Sequence, residues 1–344
     1  MFIELALFII GLILLIKGSD YFVKSAAIIA KMLGVSEFMI GLTLVALGTS
    51  IPELASSVFA SLKHESGIII GNVIGSNIAN IGLILGIASL IAVIKTNKEI
   101  LKRDGYFMIF VSFLFFIFAI DKQISWYEGI FFLALYTAYI IFVFHMKTLF
   151  KGEDYFKSFI RYFISFGYLT IIKNSLIKGI KTKAKNKKKL PFLNLTLAKE
   201  FLIVIISVTA VILGAKFLVD EAVFFANMFK IPSTLIGLSV IAIGTSLPEL
   251  SVCIAAVKKG YGNIAVGNII GSNIANILLI LGVSSLISPI SILKETLYYT
   301  IPFMIAISLF LLYAIRTAWK IKKYEGLALL LLYIAFIMFL FIYV

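Results

Sequence analysis

The chain has 344 residues, 61% of them hydrophobic and 14% charged, with a mean hydropathy of +1.09, far from the roughly half-apolar, quarter-charged mix of a soluble domain. Water-soluble enzymes and extracellular binding modules are excluded, and the single cysteine, Cys253 inside an apolar run, excludes a disulfide framework or a thiolate metal cluster. The net charge of +14 reads as a topology signal in a polytopic membrane protein and not as a footprint for nucleic acid.

Apolar runs of about 20 residues, enough to cross about 30 Å of hydrocarbon, recur along the whole chain. They predict ten membrane-spanning helices at 2-27, 37-62, 68-94, 105-120, 126-146, 198-225, 233-257, 263-289, 296-315 and 325-344. The first run opens Met1-Phe2-Ile3-Glu4, without a basic n-region or a following small-residue cleavage site, so it reads as a retained helix and not a signal peptide. Alternate connections differ in charge. One set holds Lys24, Lys31, Lys95, Lys98, Lys102, Arg103, the segment 147-199, Lys258, Lys259, Arg316, Lys320, Lys322 and Lys323, about 25 of the 31 basic residues. The other holds Lys63, Lys122, Lys230 and Lys294. The positive-inside rule makes the first set cytoplasmic and puts both termini outside the cell membrane.

Shifted by 196 residues, the sequence matches itself without a gap: Gly18 to Gly214, Gly41 to Gly237, Glu53 to Glu249, Ser76 to Ser272, Gly86 to Gly282. Between 40-90 and 236-286 about 29 of 51 positions are identical, more than shared hydrophobicity gives. The organisation is therefore a first five-helix repeat at 1-146 (densest at 37-94), a basic cytoplasmic loop at 147-198, and a second repeat at 199-344 (densest at 233-290). An odd number of spans inverts the second copy, so the expected fold is an all-α polytopic membrane protein of two inverted-topology repeats, with a midplane site where they meet.

The identities cluster in two segments per copy. Gly48-Thr49-Ser50-Ile51-Pro52-Glu53-Leu54 is answered by Gly244-Thr245-Ser246-Leu247-Pro248-Glu249-Leu250, and Gly71-Asn72-Val73-Ile74-Gly75-Ser76-Asn77-Ile78-Ala79-Asn80 by Gly267-Asn268-Ile269-Ile270-Gly271-Ser272-Asn273-Ile274-Ala275-Asn276. Pro52 and Pro248 stand mid-span, where the missing N–H and the ring break a helix. Carbonyls freed near Ala46 to Gly48 and Ala242 to Gly244 then need a hydrogen bond, a water or a cation. Glu53 and Glu249 stand beside the breaks, flanked by hydroxyls of Thr49, Ser50, Thr245 and Ser246. A carboxylate at the bilayer centre costs several kcal/mol unless paired, and no basic residue lies at matching depth in these four spans. The simplest countercharge is a bound cation, and an all-oxygen ligand set suits Ca2+ or Na+. Asn72, Ser76 and Asn80 share one helical face, as do Asn268, Ser272 and Asn276. Gly71 with Gly75 and Gly267 with Gly271 form small-xxx-small pairs for close helix packing.

These motifs resemble the two alpha-repeats of the cation/calcium exchanger superfamily, G-T-S-x-P-E and G-N-x-x-G-S-N-x-x-[ND], and within it the sodium/calcium exchangers of prokaryotic type. Proton/calcium exchangers of the superfamily usually carry G-N-x-x-E where this chain has G-T-S-x-P-E. The resemblance implies Glu53 and Glu249 as central Ca2+ ligands that also serve Na+, with the backbone carbonyls of Thr49 and Thr245 completing the calcium shell. It implies flanking sodium sites at Ala46, Ser50, Ser76, Ala242, Ser246 and Ser272, with Asn80 and Asn276 lining the centre. Spans 2, 3, 7 and 8 would form the core, across which spans 1 and 6 slide. Many prokaryotic and potassium-dependent members have aspartate where Asn276 stands, and its absence leaves two acidic groups, enough to neutralise one Ca2+ or two Na+. Potassium independence follows as an expectation.

Residues 155-190 interleave Tyr155, Phe156, Phe159, Tyr162, Phe163, Phe166 and Tyr168 with Lys157, Arg161, Lys173, Lys178 and Lys181. The apolar part, about 14 residues, is short for a span, and the segment reads as interfacial helices on anionic lipid followed by a polybasic stretch, serving as a topology-determining tether or in regulation. It looks like the basic, aromatic autoinhibitory segment of animal exchangers without matching a motif closely. His64 and His145 read as interfacial residues, and the sequon Asn194-Leu195-Thr196 falls on the cytoplasmic side. The expected activity is Na+/Ca2+ antiport that exports Ca2+ by alternating access. It is not an enzyme, has no organic cofactor and no nucleic-acid partner, and works as a monomer. The rivals are exchangers of another ion pair (H+/Ca2+ or Na+/Mg2+), a Ca2+-permeable channel and, furthest, an intramembrane hydrolase, for which Ser50 and Ser246 lack a base at a recognisable spacing.

Overall fold

A computed structural model describes residues 2–32, 46–149, 155–170 and 195–343. Nearly all of this is helix: α1 Phe2–Met32, α2 Ala46–Thr49, α3 Ile51–Leu62, α4 Ser66–Ile91, α5 Lys98–Asp121, α6 Trp126–Leu149, α7 Tyr155–Ile164, α8 Leu195–Phe229, α9 Ser233–Thr245, α10 Leu247–Lys258, α11 Gly262–Ile287, α12 Thr296–Ala318 and α13 Lys323–Tyr343. Eight of these are long and apolar enough to cross a membrane, and α9 with α10 qualifies as one span bent by 44°. The predicted span 37-62 is represented by α2 and α3; its first part, 37-45, lies outside the described residues.

Burial separates core from periphery. The most apolar window of α4 is 94% buried and that of α11 78%, against 28% for α1 and 33% for α8 and α13. A helix buried on every side is usually uniformly apolar. The interior of α4 nevertheless holds Asn72, Ser76, Asn77 and Asn80, each at most 1% exposed. Polar side chains are therefore buried inside this protein along α4.

Elements recur with the same 196-residue shift. A π-helical stretch begins at Asn80 and another at Asn276, and others occupy Leu101–Gly105 and Thr296–Thr300; such wide turns frequently mark functional sites. Short strands β1 Ile94–Lys95, β2 Gln123–Ile124, β3 Ile290–Ser291 and β4 Lys320–Ile321 pair antiparallel across the halves, β1 with β4 and β2 with β3. Lys95 and Lys320 belong to the basic set of connections, and β2 and β3 to the sparse one. Each clasp thus joins connections that the charge distribution assigns to the same membrane face.

Two close approaches fix the helix packing. α1 and α8 cross where Gly11 meets Gly214: a Cβ on Gly214 would lie 2.7 Å from the Gly11 carbonyl oxygen. At α4 and α9, a Cβ on Gly71 or Gly75 would lie 2.6 Å from the carbonyl oxygen of Thr234 or Leu238. Gly267 and Gly271 have no such neighbour among the described residues, and the positions that correspond to Thr234 and Leu238, 38 and 42, lie outside them. α8 packs along α3, with an ion pair between Lys63 and Asp220, whereas among the described residues α1 has no comparable contact with α10.

α7 belongs to the basic loop. Its Phe159 lies against Phe107 (4.8 Å between ring centroids, edge-on) and Phe142 (5.4 Å), and Phe163 against Phe131 (5.9 Å). Phe131 and Phe142 are about 16 Å apart along α6 at 1.5 Å per residue, so α7 reaches along the flank of α6. The aromatic stripe faces an aromatic surface on α5 and α6, beside the Arg103–Asp104 pair, which Tyr139 completes by donating to Asp104 at 2.8 Å. Residues 171-190 lie outside the described residues.

Candidate functional site

Both proline-bearing segments break as their sequence requires. Between α2 and α3 the chain turns at Ser50 (φ −90°, ψ 7°), and between α9 and α10 at Ser246 (φ −83°, ψ 6°), with Pro52 and Pro248 in the first turn of the following helix. Both serines occupy the sparsely populated bridge region, and proline is tolerated in a first turn because its missing N–H has no intrahelical partner there. Each break creates a helix N-terminus inside the protein. Glu53 and Glu249 stand in those first turns, where the positive end of the helix dipole favours a carboxylate. They are 1% and 0% exposed.

Each glutamate accepts from a hydroxyl of the other half of the molecule. The Ser246 hydroxyl donates to Glu53 Oε1 at 3.2 Å. Ser50 donates to Ser272 at 3.2 Å and lies 3.4 Å from Glu249 Oε1, and Ser272 donates to the same oxygen at 3.2 Å. The Thr49 side chain also reaches Glu249. Neither carboxylate has a basic partner among the described residues, so one oxygen of each is satisfied by hydroxyls and the charge by nothing.

The remaining polar groups come from α4 and α11. Asn80 Nδ2 donates to Asn273 Oδ1 and Asn276 Nδ2 to Asn77 Oδ1, both at 2.9 Å. Asn77 and Asn273 also bond each other's main chain: Asn77 Nδ2 donates to the Asn273 carbonyl at 3.4 Å, Asn273 Nδ2 to the Asn77 carbonyl at 3.2 Å. Among the described residues, four buried oxygens of this cluster have no hydrogen-bond partner: Glu53 Oε2, Glu249 Oε2, Asn80 Oδ1 and Asn276 Oδ1. Buried polar atoms left unpaired cost about 1–3 kcal/mol each. Two charged and two neutral oxygens left bare at the centre of a membrane protein are what a hard cation accepts: Ca2+ takes six to eight oxygens at about 2.3–2.6 Å.

The residues singled out from sequence fall as follows. Thr49 and Thr245 end α2 and α9 on the near side of each break, and Ala46 opens α2. The Ala242 carbonyl accepts the Ser246 N–H at 3.2 Å and the Ser76 hydroxyl at 3.5 Å, so that freed oxygen is satisfied internally. Asn72 braces α3, donating to the Glu53 carbonyl at 3.1 Å and to Ser57 at 2.9 Å while accepting from Thr245 at 3.1 Å. Its counterpart Asn268 has a buried Nδ2 without a partner. Sequence reasoning missed Asn77 and Asn273. The signal was available, since both lie in the repeated motif, but each sits one residue past Ser76 or Ser272 and so about 100° away from the polar face being followed.

Comparison with known proteins gives the family. The model of the sodium/calcium exchanger protein family matches residues 3–145 and 199–342. The chain is 49% identical over 349 residues to the sodium/calcium exchanger MaX1 of Methanosarcina acetivorans, covering 98% of this chain and 99% of that one. It is 35% identical to the uncharacterized membrane protein MJ0091 of Methanocaldococcus jannaschii, over 95% and 94% of the two chains. A solved structure of the sodium-calcium exchanger NCX_Mj, 32% identical, aligns over 98% of both chains with a TM-score of 0.58. The two family-matched blocks are the two halves of the internal repeat, each contributing one broken helix and one glutamate, and the chain belongs to the sodium/calcium exchanger family.

Proposed function

We propose that this protein exports Ca2+ in exchange for Na+ entering down its gradient, by alternating access to a single site between α3, α4, α10 and α11. The observation that carries the reading is the set of four unpartnered buried oxygens on Glu53, Glu249, Asn80 and Asn276. Two carboxylates balance one Ca2+ or two Na+, so either cargo leaves the centre near neutrality and the empty site is the costly state to move. Ca2+ is held between Glu53 and Glu249 with the carbonyls of Thr49 and Thr245, and Na+ also uses Ala46, Ser50, Ser76, Ala242, Ser246 and Ser272. With asparagine at 276 there is no third carboxylate to attract K+, and transport is K+-independent. No covalent step or organic cofactor is required.

The ten spans form two inverted repeats, with both termini outside and 147-198 inside. On that topology α8 covers α3 at the outer end, while among the described residues α1 makes no comparable contact with α10 at the inner end. This asymmetry supports a state closed to the outside, with the α1–α8 pair as the moving part.

The test is radioactive Ca2+ uptake into proteoliposomes loaded with Na+, against vesicles with Na+ on both sides, for wild type and Glu53→Gln. Uptake that needs the outward Na+ gradient and is lost in the variant is the expected result. Uptake driven by a pH gradient and indifferent to Na+ overturns sodium coupling, and flux without any countergradient overturns the carrier.

A further inference from the structure

A primary amide presents either its oxygen or its NH2 to a given point, at almost no difference in shape. Asn80 and Asn276 serve a cation only with the oxygen inward. What fixes that choice is one step removed from the site. Asn80 can donate only because Asn273 offers Oδ1, and Asn276 only because Asn77 offers Oδ1. The orientation of Asn77 and Asn273 is in turn set by main-chain carbonyls, which only accept: Asn273 Nδ2 reaches the Asn77 carbonyl at 3.2 Å, and Asn77 Nδ2 reaches the Asn273 carbonyl at 3.4 Å and Met304 Sδ at 3.5 Å. The chain of dependence runs from fixed backbone acceptor, to Asn77 and Asn273, to the oxygens left bare.

We propose that Asn77 and Asn273 are positioning residues that act across the repeat interface, each orienting the cation-facing amide of the opposite half, so that neither half presents a complete oxygen set alone. This rests on the functional reading above, with Asn80 and Asn276 as cation ligands. All four asparagines are at most 1% exposed, so water cannot replace a lost partner, and a flip of one amide would leave an NH2 facing the cargo. Partners that orient a metal ligand typically change affinity by about 10- to 100-fold when removed.

The experiment is Ca2+ titration calorimetry on the full chain in nanodiscs, with Ca2+ as the only added divalent ion. Wild type, Asn273→Leu, Asn273→Asp, Asn80→Ala and Asn80→Ala/Asn273→Leu are compared. Asn273→Leu removes the acceptor and is expected to weaken Ca2+ binding about 10- to 100-fold. In the Asn80→Ala background the same change is expected to cost less than about twofold, because there is no amide left to orient. Asn273→Asp keeps the acceptor, loses the donor and adds a negative charge beside the site, and is expected to bind Ca2+ no more than about threefold more weakly than wild type. If Asn273→Leu does not fold, the aspartate variant alone decides, a loss of tenfold or more overturning the assignment. Equal losses from Asn273→Leu in both backgrounds would also overturn it, since a general packing defect is additive. Wild-type protein that bound no Ca2+ would overturn the functional reading instead, which separates the two failures.

Discussion

The contact between α8 and α3 makes a quantitative prediction. Lys63 and Asp220 join the end of α3 to α8, with side chains 41% and 27% exposed. Double-mutant measurements on pairs this exposed give about 0.2–1 kcal/mol, because solvent and salt screen them. Neutralising the pair with Lys63→Gln or Asp220→Asn should therefore raise the population in which α8 leaves α3 by about 1.4- to 5-fold. Hydrogen–deuterium exchange reads this directly: amides of 55-63 should exchange faster by that factor, while those buried in α4 stay unchanged. The difference should shrink between 0.05 and about 0.5 M salt as the Debye length shortens. The charge swap Lys63→Asp/Asp220→Lys should restore the wild-type rate. Acceleration that the swap does not reverse, or none at all, would refute the pair as a latch. An effect above tenfold would refute the screening argument.

Two further predictions concern other parts of the molecule. Ca2+ uptake by the wild type should change by less than about twofold when K+ replaces choline, and Asn276→Asp, which adds a third carboxylate, is where K+ stimulation should emerge; strong stimulation of the wild type would refute the charge-counting argument. Phe159→Ala, at a residue 2% exposed between Phe107 and Phe142, should release α7 at a cost of about 1–3 kcal/mol from lost ring contacts; increased proteolysis within 147-198 would show it, and unchanged digestion would mean that α7 is held elsewhere.

Much of the site was legible in the sequence because its causes are local. Proline at 52 and 248 breaks a helix whatever surrounds it, and a glutamate next to that break within an apolar run already implies a cation. The repeat then located the partner helices. Legibility failed where tertiary contact decides. Asn72 and Asn77 are both motif asparagines, and only the approach of α3 to one and α11 to the other assigns the first to bracing and the second to the amide ladder. The stripe of Phe156, Phe159 and Phe163 announced an amphipathic helix, but the same stripe serves lipid or an aromatic wall on α5 and α6. The Lys63–Asp220 pair joins residues of different halves, and nothing in either neighbourhood announces the other.

The two halves of the site are nearly interchangeable: glutamate answers glutamate, serine answers serine, asparagine answers asparagine. A site with that symmetry has no sidedness of its own, so a preference for one face must come from residues that break the repeat. The latch is where it breaks. Shifted by 196, Asp220 corresponds to Lys24 and Lys63 to Lys259, so the opposite charges that join α8 to α3 are answered by like charges at the corresponding positions of α1 and the end of α10. That difference favours the observed contact of α8 with α3 over its counterpart between α1 and α10. Lys24→Asp should make that pair attractive and stabilise the counterpart contact, by a factor of up to about five for an exposed pair. One two-state equilibrium has one population ratio. Slower amide exchange across 250-258 must therefore accompany faster exchange across 55-63 in the same variant. Protection gained at α10 with none lost at α3 would show that the two ends move independently, and the rigid sliding of α1 with α8 would have to be abandoned.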